Sequence, residues 1–147
     1  MSVNYTLEPN LSAQEFQDVL VASTLAERRP ADDLWRLEKM LRHADVIMTA
    51  RDEGKLVGVS RAITDFAFCC YLSDLAVAKD HQGQGIGKKL VEKTHIAAGL
   101  HTNLFLVSAP ASEGYYPKIG MKPYPCFGLP HSERYTYTMS RTAEGKQ

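Results

Sequence analysis

The stretch that decides the fold is Asp74-Leu75-Ala76-Val77-Ala78-Lys79-Asp80-His81-Gln82-Gly83-Gln84-Gly85-Ile86-Gly87-Lys88-Lys89-Leu90. It reads as the end of an apolar strand, a glycine-rich turn and the start of a helix. Gly83, Gly85 and Gly87 alternate. Glycine reaches positive φ without a steric penalty and lets a ligand approach the main chain with no Cβ between them. The N–H groups of such a turn converge on one anion at a helix N-terminus, where the dipole already favours negative charge. Lys88 and Lys89 add positive charge beside it. The stretch predicts a cradle for a phosphate or pyrophosphate.

Two familiar phosphate loops do not fit. A Walker A loop ends in Gly-Lys-Ser/Thr, whereas Gly87-Lys88 is followed by Lys89 and offers no hydroxyl to magnesium. A dinucleotide fingerprint needs G-x-G-x-x-G near the first strand, and here the spacing is G-x-G-x-G at mid-chain. The segment Gln82-Gly83-Gln84-Gly85-Ile86-Gly87 instead resembles the Q/R-x-x-G-x-G/A signature of the GCN5-related N-acetyltransferase (GNAT) family, which grips the pyrophosphate of acetyl-coenzyme A. The predicted strand over 71–77, ending Ser73-Asp74-Leu75-Ala76-Val77, is similar to the family's central strand. Gly114-Tyr115-Tyr116-Pro117-Lys118-Ile119-Gly120-Met121 is similar to its "FYEKLGF" segment, with Pro117 and Met121 as departures. The motifs stand in the family's order with a helix and a strand predicted between them.

Size and composition agree with one domain. The 147 residues suffice for a core without disulfides. We expect a single acetyltransferase domain over 1–141 and a frayed tail over 142–147. Lys and Arg together number 17, as do Asp and Glu, so the formal net charge is zero. That disfavours non-specific nucleic-acid binding, and no nucleic-acid partner is expected. Met1-Ser2-Val3-Asn4 opens neither the basic nor the apolar region of a signal peptide, and no apolar run reaches membrane-spanning length. The adjacent Cys69 and Cys70 and the odd count of 3 cysteines suggest reduced thiols, mainly core fillers, in the cytoplasm. Without a C-x-x-C pair no metal is expected.

Along the chain, Tyr5-Thr6-Leu7 is β-prone. Ser12 and Glu15 form a capping box before a helical face of Phe16, Val19, Leu20 and Ser23. Arg28-Arg29-Pro30 breaks that helix. Asp32 or Asp33 caps the next, whose apolar stripe is Leu34, Leu37, Met40 and Leu41. Strands over 46–50 and 56–64 flank the hairpin turn Asp52-Glu53-Gly54-Lys55. The segment 66–77 reads as a central strand buried on both faces. A helix over 85–98 stops at Gly99, a buried strand covers 104–107, a short helix covers 112–119 before Gly120, and a last strand covers 135–139. The resemblance implies an α/β (α+β) fold of GNAT type. Its sheet would be mixed but mostly antiparallel, with six to seven strands, about four flanking helices and a splayed central strand pair.

The resemblance also implies chemistry. Acetyl-CoA is the co-substrate. Its pyrophosphate would be met by Gln82, Gly83, Gln84, Gly85, Ile86, Gly87 and Lys88. Its pantetheine arm would lie along the backbones of Leu75, Ala76 and Val77, near Ser108. Tyr116 falls on the family's tyrosine near the coenzyme A sulfur, and a phenol of pKa about 10 suits an acid for the leaving thiolate. Tyr115 would pack inward beside it. Family members often carry a glutamate at positions matching Tyr71 or Ser73, which this chain lacks. Asp74 is the substitute candidate for the base or for holding the substrate amine. A structural anchor, with the proton delivered through water, is the alternative. Strict alternation would point Asp74 away from Ser73's face unless a β-bulge re-aims it. Glu113, His43 and His131 are further titratable candidates. The acceptor, a primary amine of a small molecule or a peptide, would be selected by 22–35 and 124–132. There Trp35, Tyr124 and Phe127 offer apolar walls, and Arg28 and Arg29 offer either an acid-binding pair or solvated charges. A homodimer is compatible with the family, but no apolar stripe demands one. Two other readings stay open: a non-catalytic acyl-CoA-binding module, and a toxin-type acetyltransferase acting on aminoacyl-tRNA, which the zero net charge disfavours.

Overall fold

The turn Glu53-Gly54 organises the centre of the sheet. Both residues have positive φ, 50° and 85°, the type I′ geometry whose twist matches a hairpin. It joins β2 (Val46–Asp52) to β3 (Lys55–Thr64). The computed structural model describes residues 2–129. The described residues fall into two compact units that divide after Val107.

In the first unit, β1 (Val3–Leu7) pairs antiparallel with β2, β2 with β3, and β3 with β4 (Cys69–Val77). The short β5 (Asn103–Phe105) adds parallel to β4, giving the order β1-β2-β3-β4-β5. Three α-helices flank this sheet: α1 (Ala13–Ser23), α2 (Leu34–Arg42) and α3 (Ile86–Ala98). Phe16, Val19 and Leu20 of α1 and Leu37 and Leu41 of α2 share a core with Ile47, Val59 and Ala76. Ile86 and Leu90 of α3 form another with Met48, Ala50 and Val57. Mixed pairing with mostly antiparallel strands is the expected architecture.

The local signals mostly act as expected. Ser12 Oγ accepts the Glu15 N–H at 3.1 Å. The reciprocal half of the capping box is missing, because Glu15 turns to Arg51 of β2, at 2.7 and 3.1 Å. Asp33 caps α2 by accepting the Arg36 N–H at 3.0 Å. Gly99, at φ 109°, ends α3.

Four expectations need correction. β4 begins at Cys69, not at 66. Asp65 accepts the N–H groups of Ala67, Phe68 and Cys69 at 2.9, 2.8 and 3.1 Å, and these amides hold its carboxyl down to about 2. They make the segment a turn that exposes Phe66 and Phe68. β4 is not sealed on both faces: Cys70, Leu72, Asp74 and Ala76 are buried and alternate with half-buried residues. β5 is three residues long and only partly covered. In the second unit the expected helix over 112–119 is two 3₁₀ turns, Pro110–Ser112 and Tyr116–Ile119, the second stopped by Gly120 at φ 92°. Pro117 supplies no N–H for a longer helical ladder. The described residues thus supply five strands and three α-helices, against six to seven and about four expected. The strand expected at 135–139 lies outside them. None of these helices is long and apolar enough to cross a membrane.

Candidate active site

The glycine-rich turn leaves β4 through the 3₁₀ turn Lys79–His81 and enters α3 at Gly85. Gly83 and Gly85 sit at φ 79° and 84°, and a Cβ built on either meets nothing within 4 Å. Backbone conformation rather than space therefore calls for glycine here. Gly87 lies in the first turn of α3. The first bond into the helix is Lys89 N–H to the Gly85 carbonyl, 3.1 Å. The six N–H groups from Gly83 to Lys88 have no acceptor among the described residues. A helix start leaves such donors unpaired by construction, and two left-handed glycines extend the set. Gln82 departs from the expectation: its N–H closes the preceding turn on the Lys79 carbonyl at 3.3 Å. Its side chain braces the loop instead, donating to the Val77 carbonyl at 2.9 Å. Lys88 pairs loosely with Glu92 at 4.0 Å on the surface.

Among the described residues, β4 also presents an open edge. Its ladder with β5 has only the pairs Cys69↔Asn103, Cys70↔Leu104 and Tyr71↔Phe105, and the last two rings stack at 5.1 Å. β4 then runs on to Val77 with no β5 partner. The Ala78 N–H donates to the Val57 carbonyl at 2.8 Å, which makes Gly58↔Val77 a pair without mutual hydrogen bonds. The N–H and C=O of Val77, and by alternation those of Leu75, then point away from β3 toward the vacated edge. Ala76 points its backbone to Val59 and its side chain into the α1–α2 core. The donors an extended amide chain would need are thus on Leu75 and Val77, and the acceptor is on Leu75, since the Val77 carbonyl already accepts from Gln82 Nε2.

Asp74 is reached through a bulge. Arg61 opposes Asp74 and Ala62 opposes Leu72, so Ser73 is the extra residue. The bulge aims Asp74 at two arginines. Its Oδ1 accepts from Arg29 Nε at 2.5 Å and its Oδ2 from Arg61 Nε. Arg29 also donates to the Ser73 carbonyl at 2.7 Å and Arg61 to Ser73 Oγ at 2.9 Å. The Asp74 side chain has no exposed surface. Its geometry is that of an anchor holding the α1–α2 connection to the bulge. Arg29 is correspondingly neither a solvated charge nor a free anion ligand. This pairing is what reading the sequence missed, because contacts 45 residues apart leave no periodic trace.

The other candidates are dispersed. His43 is the C-cap of α2, and its N–H donates to the Lys39 carbonyl at 3.1 Å. Trp35 is exposed with Lys39 Nζ 5.2 Å from its ring centre. Cys70 is buried, which pushes its thiol up, and Cys69 is exposed rather than a core filler. In the second unit Tyr116 is half-buried and meets Tyr115 edge-on at 5.2 Å. Tyr115 is exposed rather than packed inward. Ser108 Oγ donates to the Ala109 carbonyl at 2.8 Å. Glu113, Tyr124 and Phe127 are exposed, and His131 lies outside the described residues. A cavity of about 410 Å³ beside α1, bounded by Glu15, Asp18, Lys55 and Asp80, includes none of the loop amides.

Comparison with known proteins finds a related sequence stretch and similar folds. A 43-residue stretch, 29% of this chain, is 49% identical to the GCN5-related N-acetyltransferase 2, chloroplastic, of Arabidopsis thaliana, and covers 17% of that protein. The fold matches a GNAT family acetyltransferase from Streptococcus pneumoniae with a TM-score of 0.71 and 21% identity, over 88% of this chain and 96% of the other. It also matches a ribosomal-protein-alanine N-acetyltransferase from Brucella melitensis with a TM-score of 0.65 and 22% identity, over 88% and 99% of the two chains. A family model described as acetyltransferase (GNAT) family matches residues 11–121. With the amide-lined turn, the open strand edge and most of its length matched, the chain belongs to the GNAT acetyltransferase family.

Proposed function

We propose that this protein is an acetyl-CoA-dependent N-acetyltransferase that passes an acetyl group directly to a primary amine of a small molecule or a protein. The observation that carries the reading is the set of unpaired N–H groups over Gly83–Lys88 beside the open edge of β4. Bound acetyl-CoA would supply an activated thioester. The amides of Gly83–Lys88 bind its diphosphate. The outward N–H and C=O of Leu75 and the outward N–H of Val77 would orient the pantetheine amides as a further strand would. The Tyr116 hydroxyl would be the acid for the leaving sulfur, the role that the family resemblance gives it. With Asp74 held by two arginines, the amine's proton leaves through water. The acceptor is drawn to the α1–α2 connection, and the cytoplasm suits the free cysteines.

A second reading, a non-catalytic acyl-CoA-binding module, draws on the absence of a free carboxylate on β4. Release of coenzyme A across a panel of small-molecule and peptide amines separates the two. The enzyme reading expects thiol release with at least one amine, and a kcat about 100-fold lower for Tyr116→Phe at unchanged acetyl-CoA affinity. Binding without thiol release from any amine would favour the module. Unchanged turnover in Tyr116→Phe would remove Tyr116 as the acid.

A further inference from the structure

His81 stands immediately before the loop, and both of its ring nitrogens are occupied. Nδ1 lies 2.8 Å from Asp80 Oδ1, and Nε2 lies 3.1 Å from Asp52 Oδ2 at the end of β2. The side chain is 16% exposed. An ionised carboxylate only accepts hydrogen bonds, so both contacts are made at once only when both ring nitrogens bear hydrogen. That species is the imidazolium. The backbone N–H of His81 also donates to the Ala78 carbonyl at 2.8 Å. The turn Lys79–His81 is therefore stapled to the β2–β3 hairpin by a charge that exists only while the ring is protonated. Two residues later the free amides begin.

We propose that His81 is a positioning residue: as an imidazolium bridging Asp52 and Asp80, it fixes the turn from which the Gly83–Lys88 amides are aimed, and its deprotonation weakens their hold on a coenzyme A diphosphate. The inference rests on the acetyl-CoA reading above. Among the described residues the charged groups bearing on the ring are Asp80 on its own turn and Asp52 from β2, with Lys55 of β3 acting on Asp80. The hydrogen bond to Asp80 first, then that to Asp52, raises the ring's proton affinity above the ordinary histidine value of 6.5, against the opposing effect of burial. The staple is thus complete below that value and is lost as pH rises through the raised one.

The test is calorimetric titration of acetyl-CoA, which has no free thiol, into wild type, His81→Gln and Asp52→Asn from about pH 6.5 to about pH 9. The His81 ring is followed by NMR in the ligand-free proteins. We expect wild-type affinity to fall about fivefold or more across that range. His81→Gln should be weak throughout and nearly flat, meeting wild type at the alkaline end. Asp52→Asn should lower the ring's titration point and weaken binding near neutrality, and it serves alone if His81→Gln does not fold. The same pH dependence in His81→Gln as in wild type would overturn the proposal. So would a ring that titrates at or below the ordinary histidine value. No heat from wild-type protein at any pH would instead remove the acetyl-CoA reading and the loop-aiming role with it. The NMR titration would still report whether the staple exists.

Discussion

At Asp74 two guanidiniums close on one carboxylate from opposite sides: Arg61 from the neighbouring strand and Arg29 from the connection between α1 and α2. Arg61 is itself buried, so Asp74→Ala leaves a cation without its partner. We expect that variant to lose about 3–5 kcal/mol in urea unfolding. Arg29→Ala should lose less, since Arg29 is 22% exposed and solvent can replace its contacts. Equal small losses in both variants would contradict the anchor. Gly85 makes a different demand. At φ 84° a side chain is strained even in open space, so Gly85→Ala should cost about 1–2 kcal/mol. It should also weaken acetyl-CoA binding, because a shifted turn no longer aims its amides together. Reading the sequence found Gly83 and Gly85 because glycine announces its own backbone requirement. It names Arg29 but could not find its partner, Asp74, which is set by the fold.

The elements that frame the site depend on two close contacts. α3 reaches the sheet over Gly58, where a Cβ would stand 3.1 Å from Leu90 Cδ1 and 3.2 Å from Ile86 Cγ2. Gly58→Val should push the helix outward, cost about 1–3 kcal/mol and weaken cofactor binding through the displaced N-terminus. A crystal structure of the variant with α3 unmoved would contradict this. On the other side of the sheet, Arg51 of β2 joins Glu8, the residue after β1, to Glu15 and so ties the end of β1, β2 and α1 together. The hydrogen bond from Arg51 holds the Glu8 carboxyl below its ordinary 4.5. The contribution of Glu8 is therefore full above the unfolded value and fades as pH falls through the lowered one. Thermal melts of Glu8→Gln should differ most from wild type near neutrality and converge in acid. The same elements show where periodicity fails. Caps, hairpin and helix faces were legible, because they depend on neighbours within four residues. The start of β4 was not: the run 66–70 is apolar, yet Asp65 draws three amides into a turn. The segment 112–119 reads as one helix from sequence because Pro117 is tolerated in the first turn of a helix as well as in a 3₁₀ turn.

Across the whole molecule, the family and the mixed sheet were legible from one motif and its surroundings, since a phosphate-gripping turn has few physical solutions. The open edge of β4 came with the family resemblance rather than from any residue pattern. It became a property of this chain only through the ladder that stops at Tyr71↔Phe105. The acceptor stays unread, because exposed aromatics such as Trp35 and Phe127 suit many amines. The account rests on backbone amides, which mutation tests only indirectly and ¹⁵N–¹H spectra report one by one. Titrating acetyl-CoA into labelled protein should shift the amides of Gly83 through Lys88 most strongly, together with Leu75 and Val77, and leave the far strand β1 undisturbed. Saturable binding that left the Gly83–Lys88 amides unmoved, or no binding at all, would contradict it.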